Sequence, residues 1–179
     1  MVTPRDSFHT LTVLIADAHL AHRRVLRNIL LQCGAQKILE TADPAETLRS
    51  FESHPVDLVF VDLDFGGARQ GFDLLRQLRD RHHSRDPFVP VILMGLQVAP
   101  QAVTAARDYG AHEFMVKPVT TGAVLRKLQS VTLRPRPFIQ GPTYFGPDRR
   151  RQQSAPHQGQ ERRWDNTGPG AGSPPPDPA

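Results

Sequence analysis

The chain has 179 residues, enough for one domain with a tail, and only 7% are aromatic, so its core is expected to be aliphatic. The formal charge of +4 is small, and the single cysteine, Cys33, rules out an intramolecular disulfide. No apolar run approaches the ~18 residues of a membrane helix and no signal-peptide pattern opens the chain, so a soluble cytoplasmic protein without membrane attachment is expected.

Residues 1–9 read as an N-terminal arm. The first strand pattern, LTVLIA (11–16), ends on Asp17. It is followed by helical periodicity in LAHRRVLRNILLQC, with Gly34 placed to stop the helix and Cys33 reading as a small core residue. KILETA (37–42) is the second strand. Asp43-Pro44-Ala45-Glu46 then predicts a helix start, with Asp43 as N-cap, Pro44 at the first helical position and Glu46 able to reach back. VDLVFVD (56–62) precedes the helical pattern GFDLLRQLRDR, and VPVILMG (89–95) precedes PQAVTAARDYG, which should end at Gly110. HEFMVK (112–117) and TGAVLRKLQSV complete the series. Five strand–helix alternations with near-continuous apolar strands imply a parallel sheet covered by helices on both faces. Composition then changes. Ten of the 17 prolines lie in the last 46 residues, where seven arginines face four acids. The domain is therefore expected to span 10–133, with 134–179 a Pro/Gly/Arg-rich disordered tail.

Open parallel sheets bind ligands beyond the carboxyl ends of their strands, where the strand order reverses. Here those ends carry Asp17, Asp62 with Asp64, Gly95, and Lys117-Pro118. A single acid at a strand end commonly does no more than start a loop. Three carboxylates and a lysine from separate strands point to a shared site. Glycine-rich phosphate loops, GxSxG and paired His/Cys metal spacings are missing from the sequence, which argues against a flavin-binding or hydrolytic enzyme. The eight histidines do not cluster: His19, one turn from the site, reads as an exposed helix-start residue, and His82-His83 as solvated loop.

The motifs VLIAD, DLVFVDLDF with the following GFDLLRQLR, VPVILMG and GAHEFMVKPV give residues 11–133 a resemblance to the receiver domain of two-component response regulators. The Lys-Pro that closes the fifth strand after an aromatic is the most specific of these marks. The resemblance implies a flavodoxin-like, doubly wound, five-stranded parallel sheet with five helices. It also implies Asp62 as phosphoacceptor, Lys117 as the contact to a phosphoryl oxygen, and Phe114 as the aromatic switch position. Mg²⁺ would be held by Asp17, Asp62 and the backbone carbonyl of Asp64. Phosphoryl transfer has use for such a set: a carboxylate nucleophile, a hard divalent cation, and a fixed positive group for the developing charge. The implied partners are a sensor histidine kinase or phosphotransfer protein and a downstream protein that meets the surface of residues 99–131. No enzymatic turnover is implied.

The chain departs from the family pattern in four places. Ala18 stands where a second metal-binding acid is usual, which should weaken Mg²⁺ binding, with Asp64 able to return charge from the opposite side. Gly95 replaces a Thr or Ser hydroxyl, and Leu96 replaces a small residue. The loop after Asp62 has Gly66-Gly67 in place of a proline and is expected to be mobile. Two readings follow: a working phosphoacceptor with poor metal affinity, or a phosphorylation-independent pseudo-receiver that serves as an interaction module. The region after residue 133 has no helix-turn-helix, kinase or cyclase pattern, so output is expected through protein contact or the tail. There PTYFGPDRRR and ERRWDN bring Tyr144, Phe145 and Trp164 beside arginines that include Arg149 and Arg150. Such a motif could dock on another protein or back on the domain, bind single-stranded nucleic acid, or be a solvated linker. Asp148 and Asp165 inside the motifs and the low net charge argue against a nucleic-acid arm.

Overall fold

A computed structural model of the chain describes residues 8–65, 67, 70–96, 100–141 and 144–149. The elements run β1 (Thr12–Ala16), α1 (Leu20–Gln32), β2 (Lys37–Thr41), α2 (Pro44–Ser53), β3 (Leu58–Asp62), α3 (Gln70–Leu78), β4 (Val91–Gly95), α4 (Pro100–Asp108), β5 (Glu113–Val116) and α5 (Thr121–Leu133), then β6 (Phe138–Gln140) and β7 (Phe145–Pro147). Strands one to five form a parallel sheet in the order β2-β1-β3-β4-β5. This is the flavodoxin-like fold with five strands and five helices that the sequence predicts.

The alternation of side chains along each strand divides the core between two faces. Val13, Ile15, Phe60, Ile92 and Met94 join Leu26 and Leu30 of α1 and Val124 and Leu128 of α5. Leu14, Ala16, Val59, Val61 and Leu93 face Phe51 of α2, Leu74 and Leu75 of α3 and Ala106 of α4. Strands β1, β3 and β4 are buried along their full length, which is why they read as unbroken apolar runs. Each fully buried aliphatic side chain contributes about 1.5–3 kcal/mol, so this double layer fixes the register of the strands.

Local signals place the helices. Asp43 accepts from the Glu46 amide at 2.8 Å, and Glu46 reaches back to the Ala42 amide at 2.9 Å. Gly34 and Gly110 end α1 and α4 at φ of 103° and 87°, a region that favours glycine. At Gly71 a Cβ would run into the backbone of Asp62 and Leu63, so the missing side chain lets α3 abut the end of β3.

Two boundaries differ from the sequence reading. Phe8, assigned to the arm, is fully buried and belongs to the core. Part of the expected disordered tail is ordered: β6 and β7 pair as an antiparallel hairpin. The hairpin gains its stability from packing. Phe138 and Phe145 cluster with Phe88 and His112, with ring centroids 5.0–5.4 Å apart. Gly146 lies against Gly110 with no room for a Cβ on either residue. Beneath it the buried guanidinium of Arg79 donates to Gly110 O at 2.9 Å and lies 3.3 Å from His112 Nδ1. Burial and this arginine push the His112 pKa down to about 3. The arm 1–7, Gly66, Ala68 and Arg69 of the loop expected to be mobile, and tail residues 150–179 lie outside the described residues.

Candidate functional site

The reversal in strand order lies between β1 and β3, and both strands deliver an acid there. Asp17 follows the last residue of β1 and Asp62 is the last of β3, at 1% and 3% exposure. Lys117 follows β5, and its ammonium donates to Asp17 Oδ2 at 2.6 Å and to Asp62 Oδ1 at 2.7 Å. The lysine is itself only 8% exposed, so a buried cation ties two buried carboxylates together. Backbone bonds hold the three in register: Asp17 N to Thr41 O, Leu63 N to Met94 O and Lys117 N to Gly95 O.

The second oxygen of Asp17, Oδ1, accepts from the His19 amide at 2.8 Å. Arg23, one turn into α1, donates to the carbonyls of Asp17 and Ala18 at 2.7 and 3.2 Å, which pins the β1–α1 loop. Burial raises the pKa of Asp62, the Lys117 hydrogen bond and charge oppose the rise, and the charges of Asp17 and Asp64 add to it. Asp62 is thus a basic carboxylate kept available by one lysine.

The remaining predicted residues are placed as follows. Asp64 is exposed, its carbonyl accepts from Gly67 N at 3.3 Å, and its charge reaches Asp62 through space. Ala18 is half-buried and packs on the apolar layer beneath α2 and α3. Phe114 is half-buried, and its ring fills the space beside Gly95: a Cβ there would lie 3.2 Å from Phe114 Cζ. Leu96 is 57% exposed and lines a cavity together with Asp17 and Lys117. Tyr144, Phe145 and Arg149 contact the domain itself. Arg149 stacks over the Tyr144 ring at 3.8 Å and pairs with Asp108 at the end of α4 at 3.3 Å, while Phe145 joins the Phe88 cluster. Arg150 and Trp164 lie outside the described residues.

Sequence reasoning considered His19 and missed His22. Its Nδ1 lies 3.2 Å from Lys117 Nζ and 3.5 Å from Asp17 Oδ2. The available signal was its place on α1, one turn after His19. Asp17 and Asp62 are hard oxygen donors, which suits a hard cation in chemistry. No three His, Cys, Asp or Glu side chains among the described residues are gathered to hold a metal ion. Carboxylate oxygens such as those of Asp17 and Asp62 are the kind of donor that Mg²⁺ prefers, and water commonly completes the shell of this ion.

Known proteins share the fold and the family. Residues 13–129 match the family model of the response regulator receiver domain. Over 132 residues the chain is 32% identical to the sensory/regulatory protein RpfC of Xanthomonas campestris, covering 74% of this chain and 18% of that protein. It thus spans under a fifth of that relative's length. It is 26% identical over 119 residues to the chemotaxis protein CheY-3 of Vibrio cholerae, covering 66% of this chain and 89% of that one. The solved structure of the chemotaxis response regulator CheY4 of Vibrio cholerae has the same fold, with a TM-score of 0.60 at 22% identity over 68% of this chain and 98% of that one. None of the described helices is long and apolar enough to cross a membrane.

Proposed function

Because the chain belongs to the response regulator receiver domain family, we propose that it works in phosphorelay signalling. It takes a phosphoryl group on Asp62 from a sensor histidine kinase or phosphotransfer protein and passes the signal on by protein contact. A receiver is a phosphoacceptor and not an enzyme. One observation carries the reading: Lys117 bridges Asp17 and Asp62 at 2.6 and 2.7 Å at the strand-order reversal.

In this reading the nucleophile is Asp62 Oδ2, the oxygen that Lys117 leaves open to attack the phosphorus of the donor. The phosphorus–donor bond breaks as the new P–O bond forms. Lys117 keeps its bond to Asp17 and turns the N–H it had given to Asp62 Oδ1 onto a phosphoryl oxygen. The burial that raises the Asp62 pKa also excludes water and strengthens this contact. Asp17, Asp62 and the Asp64 carbonyl would hold Mg²⁺, whose charge would offset that of the phosphoryl oxygens. We place the protein in the cytoplasm, where phosphodonor kinases act and the buried Cys33 stays reduced. The face of α4, β5 and α5, which exposes Val103 and Val116, is the surface for the downstream protein. Nucleic acid is not the partner of this motif, a view supported by the engagement of Tyr144, Phe145 and Arg149 on the domain.

Incubation of the full chain with a small acyl phosphate and Mg²⁺, followed by intact mass measurement, tests the reading. One added phosphoryl group that Asp62→Asn abolishes is expected. A wild type left unmodified by both the acyl phosphate and a cognate kinase would establish the pseudo-receiver reading instead.

A further inference from the structure

An ammonium has three N–H groups and no acceptor. Two of those on Lys117 go to Asp17 Oδ2 and Asp62 Oδ1. The third faces α1, where His22 Nδ1 stands 3.2 Å from Nζ. Lysine only donates, so a hydrogen bond in this contact is one that Nδ1 accepts, with the imidazole hydrogen on Nε2. The same nitrogen is 3.5 Å from Asp17 Oδ2, a longer approach than that to the ammonium. His22 and Lys117 share the wall of a cavity of about 180 Å³ whose other walls include Val25, Leu26, Met94 and Leu96. Asp17, which already accepts from Lys117, also lines the cavity, and the side chains of Val25, Leu26, Met94 and Leu96 offer the ammonium no further acceptor. The imidazole sits edge-on to His19, with centroids 5.0 Å apart, which steadies its ring.

We infer that His22 is a positioning residue for phosphoryl transfer, the third acceptor that aims the Lys117 ammonium. The inference rests on the proposed phosphorylation of Asp62. For Lys117 to move one N–H from Asp62 Oδ1 to a phosphoryl oxygen, its other two must stay anchored. Asp17 Oδ2 and His22 Nδ1 are those anchors. Without the second, the ammonium pivots about a single bond. Rate enhancement from positioning is sensitive to such looseness.

The test uses the full chain with Mg²⁺ and a small acyl phosphate, and compares wild type with His22→Leu and His22→Asn. The asparagine carries an amide oxygen at the place of Nδ1. His22→Leu should slow phosphorylation of Asp62 about tenfold, the value of one charge-assisted hydrogen bond. His22→Asn should restore most of that loss. The ¹⁵N resonance of the Lys117 ammonium gives a readout that helix stability alone would not move: it should be retained in wild type and His22→Asn and shifted or broadened in His22→Leu. Because the His22 side chain is 38% exposed on a helix surface, both variants should fold. A wild type that is phosphorylated while His22→Leu keeps the same rate and resonance would overturn the inference and leave Asp62 standing. So would His22→Asn behaving like His22→Leu. A wild type that takes no phosphoryl group would overturn the reading of Asp62 itself.

Discussion

Replacing Lys117 by methionine keeps the aliphatic stem and removes the cation that both buried acids contact. Asp17 and Asp62 then remain at 1% and 3% exposure, having lost bonds of 2.6 and 2.7 Å. Deleting one partner of a buried, hydrogen-bonded ion pair typically costs about 3–5 kcal/mol, because the carboxylates left behind are neither solvated nor paired. In a domain of this size that corresponds to a fall in Tm of roughly 10–20 °C. Urea unfolding at pH 7, followed by far-UV circular dichroism, measures the loss. Adding Asp62→Asn to Lys117→Met removes one orphaned charge, so the double variant should recover at least about 1 kcal/mol relative to simple addition, as expected for groups in contact. Lys117→Met within about 0.5 kcal/mol of wild type, or strict additivity in the cycle, would show that Lys117 is not the counter-ion of this pair.

Asp62→Asn alone should stabilise the protein at pH 7. Folding raises the Asp62 pKa, so its charged form opposes the fold above the folded pKa. The gain should vanish as pH falls below the unfolded value of about 3.9, a trend that unfolding curves at a series of pH values would reveal. Ala18→Asp should tighten Mg²⁺ about tenfold or more by adding an oxygen ligand, and a calorimetric titration without gain would show that the place is already filled. Gly71→Ala should cost about 1–3 kcal/mol, because its Cβ meets backbone at Asp62 and Leu63 that no rotamer change can clear. Removing residues 135–179 should expose His112 and carry its pKa from about 3 back towards the ordinary 6.5, as read by NMR titration. An unchanged value would mean that the hairpin does not bury it.

The sequence by itself determined the layered sheet, because alternation along a strand and three- to four-residue spacing along a helix are local patterns that burial enforces. It also placed Asp17, Asp62 and Lys117 at strand ends, the Asp43 cap, and the glycines that close α1 and α4. Only the tertiary structure decided that one ammonium reaches both carboxylates, which lie 100 and 55 residues away in the chain. That outcome depends on β1, β3 and β5 running parallel, so that all three end at the same edge of the sheet, and on the strand order that sets how far apart they lie. His22 was illegible for the same reason: whether a residue on α1 faces Lys117 depends on how the helix seats on the sheet. The hairpin shows the converse. Its three-residue strands are too short to carry a period, and proline-rich composition around them reads as disorder. Phe138 and Phe145 have something to pack on only once Phe88, His112 and Arg79 have been brought together by the folded domain.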